Sequence, residues 1–170
     1  MVTPADAEWL ISRAGLQGLD SIAPLDGGWD NTNLQLMLES GSSFVLKAWY
    51  ANTVEEVGRV IARHVHLHEH GIPTTVPIML TDGSLMAIKD GVAWTLLPFV
   101  KGGILGLDEA SVRSLGETQA KMHLIPGADC FPKSYRMGFE LFGEVISLSS
   151  RMGVSNPFVE MLSSRIAETK

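Results

Sequence analysis

The segment Leu25–Tyr50, LDGGWDNTNLQLMLESGSSFVLKAWY, holds the residues whose types and order suit chemistry. Lys47 lies in an apolar run, FVLKAW. Period-two alternation puts Phe44, Leu46 and Ala48 on one face of a strand and Val45, Lys47 and Trp49 on the other. An ammonium on such a face either reaches solvent along its flexible stem or receives an anion brought to that face. Upstream, Gly27 and Gly28 stand where one strand turns into the next. Glycines there let backbone amides come close to phosphate oxygens, and they also serve an ordinary hairpin turn. Twin glycines, the polar run Asn31-Thr32-Asn33, a strand lysine about 20 residues on and then an acid-bearing helix together favour the anion site.

These residues need a sheet and a helix to position them. TPADAEWLISRAGL opens with Thr3 as N-cap and Pro4 at the first helical position, and predicts a helix ending near Gly15. Strands are expected over about 21–27, 32–39 and 43–50, with ESGSS as a hairpin connection. NTVEEVGRVIARHVHLHEHG spaces Val54, Val57, Ile61 and Val65 for a helix, with acids in the first turn and Gly71 as a stop. IPTTVPIML, SLMAIK and VAWTLLPFV read as further strands, joined by the turn dipeptides Asp82-Gly83 and Asp90-Gly91. KGGILG is a hinge-like break, after which the texture is helical. LDEASVRSLGETQAKMHLI sets Val112, Leu115, Gln119 and Met122 along one side; MGFELFGEVISL and SNPFVEMLSSRIAETK, the latter with Asn156 as cap and Pro157 after it, are further helices. The expected class is α+β: an antiparallel sheet lobe with one inserted helix over 1–100, then helices over 101–170.

Composition narrows the function. With 45% hydrophobic residues, 170 residues bury one good core. A net charge of −6 argues against a nucleic-acid surface, which draws on clustered Lys and Arg. No apolar run approaches the roughly 20 residues of a membrane span, and no leader-like segment precedes Pro4, so a cytoplasmic protein is expected. The single cysteine, Cys130, excludes an intramolecular disulfide and reads as a buried or incidental thiol. His64, His66, His68 and His70 fall as two i,i+4 pairs on helix faces roughly 160–200° apart, so four cannot meet one ion and no metal site is assigned.

The order of these words resembles the aminoglycoside phosphotransferase and homoserine kinase group, which has a protein-kinase-like fold. GGWDNTNLQL is similar to that group's first hairpin, and FVLKAW to its third strand with the nucleotide lysine. HLHEHGIPTTVPI is similar to the following helix end and fourth strand, TLLPFVKGG to the hinge and LGETQAKMH to the helix beyond, with His123 in a structural role. The likeness spans about residues 5–125. It implies ATP as cofactor, with Lys47 on the α- and β-phosphates, the hairpin residues Gly27, Gly28, Asn31, Thr32 and Asn33 near the phosphates, and the backbone at Leu97 and Phe99 bonded to adenine.

Two departures qualify that picture. Val60 stands where relatives carry the glutamate that pairs with the lysine. Glu56, four residues earlier on the same helix face, would reach Lys47 if the helix shifted by a turn; the other reading is that Glu55 and Glu56 stabilise the helix start. The second departure is that no His-Gly-Asp segment occurs, so the aspartate and magnesium ligands of phosphoryl transfer are missing. The chain is therefore expected to be the N-terminal portion of a longer kinase, inactive alone, with magnesium bound only alongside a C-terminal lobe. The substrate would be a small-molecule hydroxyl, as in homoserine, choline or an aminoglycoside, and self-association through an uncovered lobe surface is possible. The alternatives are a non-catalytic remnant that binds nucleotide or a partner, and an α+β domain whose lysine merely reaches solvent.

Overall fold

The structure, a computed structural model, describes residues 2–26, 30–131 and 139–153, together with 157, 159–161 and 164. Gly27, Gly28 and Asn156 lie outside the described residues, and with them the expected phosphate turn and the expected cap of the last helix. The chain divides into two compact units, Met1–Phe131 and Pro132–Lys170. In the second unit the described helix is α4 (Phe139–Met152), in the segment read as helical from MGFELFGEVISL.

Local sequence explains the first elements. In α1 (Pro4–Arg13) the Thr3 hydroxyl accepts from the Asp6 N–H while the Asp6 carboxylate takes the Thr3 N–H at 2.8 Å, a reciprocal capping box with proline at the first position. Ala7, Leu10 and Ile11 are the buried side of this helix. The chain then forms β1 (Leu19–Pro24), β2 (Thr32–Leu38) and β3 (Ser43–Ala48), crosses through α2 (Val54–Glu69), and returns as β4 (Ala87–Lys89) and β5 (Val92–Pro98). All neighbours pair antiparallel in the order β1-β2-β3-β5-β4, so the class is α+β, with α2 inserted in the chain between central β3 and edge β4. The β4–β5 hairpin turns at Asp90 and Gly91, with φ of 53° and 76°; positive φ at both central residues matches the right-handed twist of the flanking strands.

Alternation along the strands builds two cores. Leu36, Leu38, Leu46, Ala48, Trp94 and Leu96 pack with Leu10 and Ile11 of α1 on one face. On the opposite face, Val57 and Ile61 of α2 pack with Ala93, and Trp49 lies against them. β5 is buried on both faces, through Ala93 and Thr95 on one and Trp94 and Leu96 on the other, whereas the buried residues of β2 and β3, Leu36, Leu38, Leu46 and Ala48, all lie on the α1 face.

One expected strand is absent. Residues 72–80, IPTTVPIML, form no ladder: Pro73 and Pro77 have no N–H to donate, and the segment's bond to the sheet is Ile78 N–H to the Leu96 carbonyl at 2.7 Å. Pairing in SLMAIK is confined to its last three residues, Ala87–Lys89. After residue 100 the chain is irregular until α3 (Glu109–Leu124), capped by Asp108, whose side chain accepts from the Ser111 N–H. No residue of α3 is buried, and Val112, Leu115 and Met122 are exposed. Among the described residues no helix is long and apolar enough to cross a membrane.

Asp6 also accepts from the Lys89 ammonium, tying α1 to β4. That bond, with the bonds from Thr3, lowers the carboxyl from 3.8 to about 2. A lowered carboxyl contributes stability that is present above its unfolded value and is lost as pH falls through its folded value. The thermal midpoint should therefore drop between about pH 4 and pH 2, and Asp6→Asn should lower the midpoint at neutral pH while flattening that part of the profile. An unchanged acid limb in the variant would contradict the assignment.

Candidate functional site

The register places three polar side chains in one row across the sheet. Lys47 pairs with Asn33 of β2 on one side and with Thr95 of β5 on the other. Directly paired residues share a face, so Asn33, Lys47 and Thr95 all lie on the α2 side. Leu38 N–H donates to the Ser42 carbonyl, and alternation from there makes Asn33 and Lys47 a pair without mutual backbone bonds, the type whose Cα atoms stand closest, at about 4.5 Å.

Lys47 and Thr95 of this row floor a pocket of about 180 Å³ walled by Trp49, Leu97, Thr75 and Pro77 and by Val60, Ile61 and His64 of α2. The Trp49 indole N–H donates to the Thr95 hydroxyl at 3.0 Å, and the Lys47 Nζ lies 3.8 Å from the centroid of the Trp49 ring. Thr95 is the buried polar residue of the sheet, at 1% exposure. His64 closes one wall: its Nδ1 is 2.9 Å from the Thr75 carbonyl, which can only accept, so Nδ1 carries the proton and donates, with the Thr74 hydroxyl at the same distance. Burial pushes the Lys47 ammonium below its ordinary pKa. A charged group that is partly desolvated and has no ion-pair partner among the described residues is poised to take an anion.

The other residues expected at the site are placed differently from one another. Glu56 is the third residue of α2 and closes its capping box: its carboxylate accepts from the Thr53 N–H at 2.8 Å, while Thr53 Oγ1 accepts from the Glu56 N–H. That backbone bond is the largest cause of its lowered pKa. Val60, not Glu56, lines the pocket. Asn31 binds the loop before α2, accepting from the Ala51 N–H and donating to Asn52. Thr32 pairs with Ala48 and so falls on the α1 face, away from Lys47.

The ladder sets which backbone groups of the hinge bond to β3. Phe99 N–H donates to the Ser43 carbonyl at 3.2 Å and Trp49 N–H to the Ala93 carbonyl at 3.0 Å, so alternation between them makes Val45 and Leu97 a mutually bonded pair. The backbone groups of Leu97 and Phe99 therefore face β3. Leu97 contributes its side chain to the pocket wall. The Pro98 carbonyl, in a pair without mutual backbone bonds, is turned away from β3.

Trp49, Thr95 and His64 were not singled out from sequence as site residues. Trp49 was legible in the same alternation that exposed Lys47, and Thr95 as the lone hydroxyl in an apolar strand; His64 required knowing which face α2 turns to the sheet. His66 and His70 are bonded elsewhere. His66 Nε2 lies 2.9 Å from the Pro126 carbonyl and its ring packs edge-on against Phe131, while His70 Nδ1 lies 2.7 Å from the His66 carbonyl. Among the described residues no three His, Cys, Asp or Glu stand close enough to share a metal ion.

Solved structures share the fold. A spectinomycin phosphotransferase in complex with ADP and spectinomycin superposes with a TM-score of 0.69 at 17% identity, over 98% of this chain and 54% of that one. An aminoglycoside phosphotransferase from Alicyclobacillus acidocaldarius gives 0.62 at 12% identity over 96% of this chain and 49% of that one, and a type I macrolide 2'-phosphotransferase 0.56 at 14% identity over 96% and 60%. At such identities the likeness shows the fold, and the chain spans about half the length of these proteins. No curated protein sequence matches the chain. The sequence model of the phosphotransferase enzyme family, by contrast, matches residues 21–145, which takes in most of β1, the other four strands, α2, the hinge and α3. With that much of the chain matched, and with its strand lysine facing a pocket under α2, the protein belongs to the phosphotransferase enzyme family.

Proposed function

We propose that the pocket under α2 binds ATP and that the chain is the nucleotide-binding portion of a small-molecule kinase. The observation that carries this reading is Lys47 itself: an ammonium partly withdrawn from water, opposite Asn33, with a wall of apolar side chains beyond it. An ATP phosphate supplies the missing negative charge, and the flat apolar wall suits an adenine ring. The Pro98 carbonyl would accept from the exocyclic amine and the Val100 N–H would donate to a ring nitrogen. Gly27, Gly28 and Asn33 are the hairpin residues nearest the phosphates in this reading, and Asn31 and Glu56 support the neighbouring loop and helix start from outside it.

Transfer to a hydroxyl requires an aspartate and magnesium ligands, and the sequence contains no His-Gly-Asp segment. Phosphoryl transfer by the chain alone is therefore not expected; ATP would be held here, while magnesium and the acceptor alcohol, of homoserine, choline or aminoglycoside type, would be held by a C-terminal lobe. The second reading is a nucleotide- or partner-binding unit that performs no transfer. It is favoured by Val60 in place of an acidic partner and by the exposed Val112, Leu115 and Met122 of α3, a surface through which copies could associate.

Calorimetric titration with a non-hydrolysable ATP analogue tests the shared core of both readings. Saturable binding at one site is expected, and its absence would overturn the nucleotide assignment. Val100→Pro removes one hinge donor at a residue that is 67% exposed and outside the ladder. It should weaken the analogue about 5- to 10-fold, the value of one lost hydrogen bond, without moving the thermal midpoint. Equal affinity would place the base elsewhere.

A further inference from the structure

Resting on the nucleotide reading above, we propose that Trp49 is the positioning residue for Lys47, its indole face taking the place of the acidic partner that α2 does not supply. The Lys47 Nζ stands 3.8 Å from the centroid of that ring. The ring is itself anchored, since its N–H donates to the hydroxyl of Thr95, which is 1% exposed. On α2 the side chains lining the pocket are Val60, Ile61 and His64, none of them acidic, and the nearest acid along that helix face, Glu56, has its carboxylate on the Thr53 N–H. None of the ion pairs among the described residues involves Lys47.

The physical consequence differs from that of a carboxylate. An aromatic face attracts an ammonium through its quadrupole, more strongly where water is excluded, yet carries no net charge. It fixes the lysine without neutralising it, and it does not repel an arriving phosphate. The ammonium has three donors, so those turned from the ring remain for phosphate oxygens. A lysine already held in one rotamer also loses less conformational freedom when the ligand binds. Burial lowers the Lys47 pKa, and the ring's attraction for the charged form opposes that tendency.

The test reads Lys47 and ligand affinity separately, in the full chain, with ADP as probe. In the free wild-type protein the ε-methylene resonances of Lys47 should be shifted upfield by the indole ring current, and the shift should persist at saturating ADP. Trp49→Leu should abolish the shift and weaken ADP about 5- to 30-fold, the equivalent of about 1–2 kcal/mol. Trp49→Phe, which keeps an aromatic face, should retain a shift and bind ADP within about 3-fold of wild type. Should Trp49→Leu fail to fold, Thr95→Val takes its place, releasing the ring from its anchor: a reduced shift with weaker ADP binding supports the proposal, and no change in either overturns it. ADP binding with no upfield shift in the wild type, or a leucine variant that binds ADP as tightly as wild type or tighter, would overturn the role of Trp49 and leave the nucleotide site standing. A shift present in a wild-type protein that does not bind ADP would instead sink the nucleotide reading, and the positioning role with it.

Discussion

Lys47→Met should lose ATP-analogue affinity by roughly 10- to 150-fold while leaving folding stability within about 1 kcal/mol of wild type. The two halves of this result have separate causes. A hydrogen bond to a charged group is worth about 1.5–3 kcal/mol, and the bound phosphate would lose its cation. The free protein loses far less, because no ion pair with Lys47 exists among the described residues to be broken. Removing a partly buried ammonium relieves a desolvation cost, which offsets the lost attraction to Trp49. The lowered pKa gives this a pH signature. The native state releases the Lys47 proton before the unfolded state does, so on this group alone stability rises as pH climbs from the lowered value toward 10.5. Urea titrations across that range should show the rise in wild type and not in the methionine variant. A variant that is strongly destabilised at neutral pH would instead mark Lys47 as a structural residue.

Leu46→Ala should destabilise the protein by about 2–5 kcal/mol, read as a lower urea midpoint at an unchanged slope. Leu46 has no exposed surface, lies between Leu34 and Leu96 in the register, and belongs to the core beneath α1. Deleting its side chain leaves a cavity that the anchored neighbours cannot fill. Val45, one residue away on the opposite face, is only partly buried, and Val45→Ala should cost distinctly less. Equal losses at the two positions would contradict the assignment of faces on which the whole site depends.

That assignment was legible because strand alternation is rigid. Once FVLKAW was a strand, Lys47 and Trp49 had to share a face, and the dipeptide Asp90-Gly91 had to turn a hairpin. Capping was legible in kind but not in consequence. Thr53 and Glu56 have the spacing of a capping box, and that local bond satisfies two backbone donors at once; an ion pair with a lysine on another element must compete with it. The 72–80 segment misled because its β-branched residues read as a strand while its two prolines deny it a ladder. The orientation of the hinge backbone was not legible. Which carbonyls face outward depends on the pairing of β5 with β3, and that register is set by contacts distant in sequence. Likewise, nothing local to α2 says that Val60 and His64 turn to the pocket, because that follows from how Val57 and Ile61 pack on Ala93.

The central claim, that nucleotide binds between Lys47 and the hinge on the α2 face of the sheet, is tested most directly by following backbone amide resonances during a titration with ADP. Saturable shifts should concentrate at Lys47, Thr95, Leu97 and Val100, with the Val100 amide moving downfield as it gains a hydrogen bond, while Leu36, Leu46 and Leu96 of the opposite core stay still. An absence of saturable shifts, or shifts confined to the α1 face, would contradict the account.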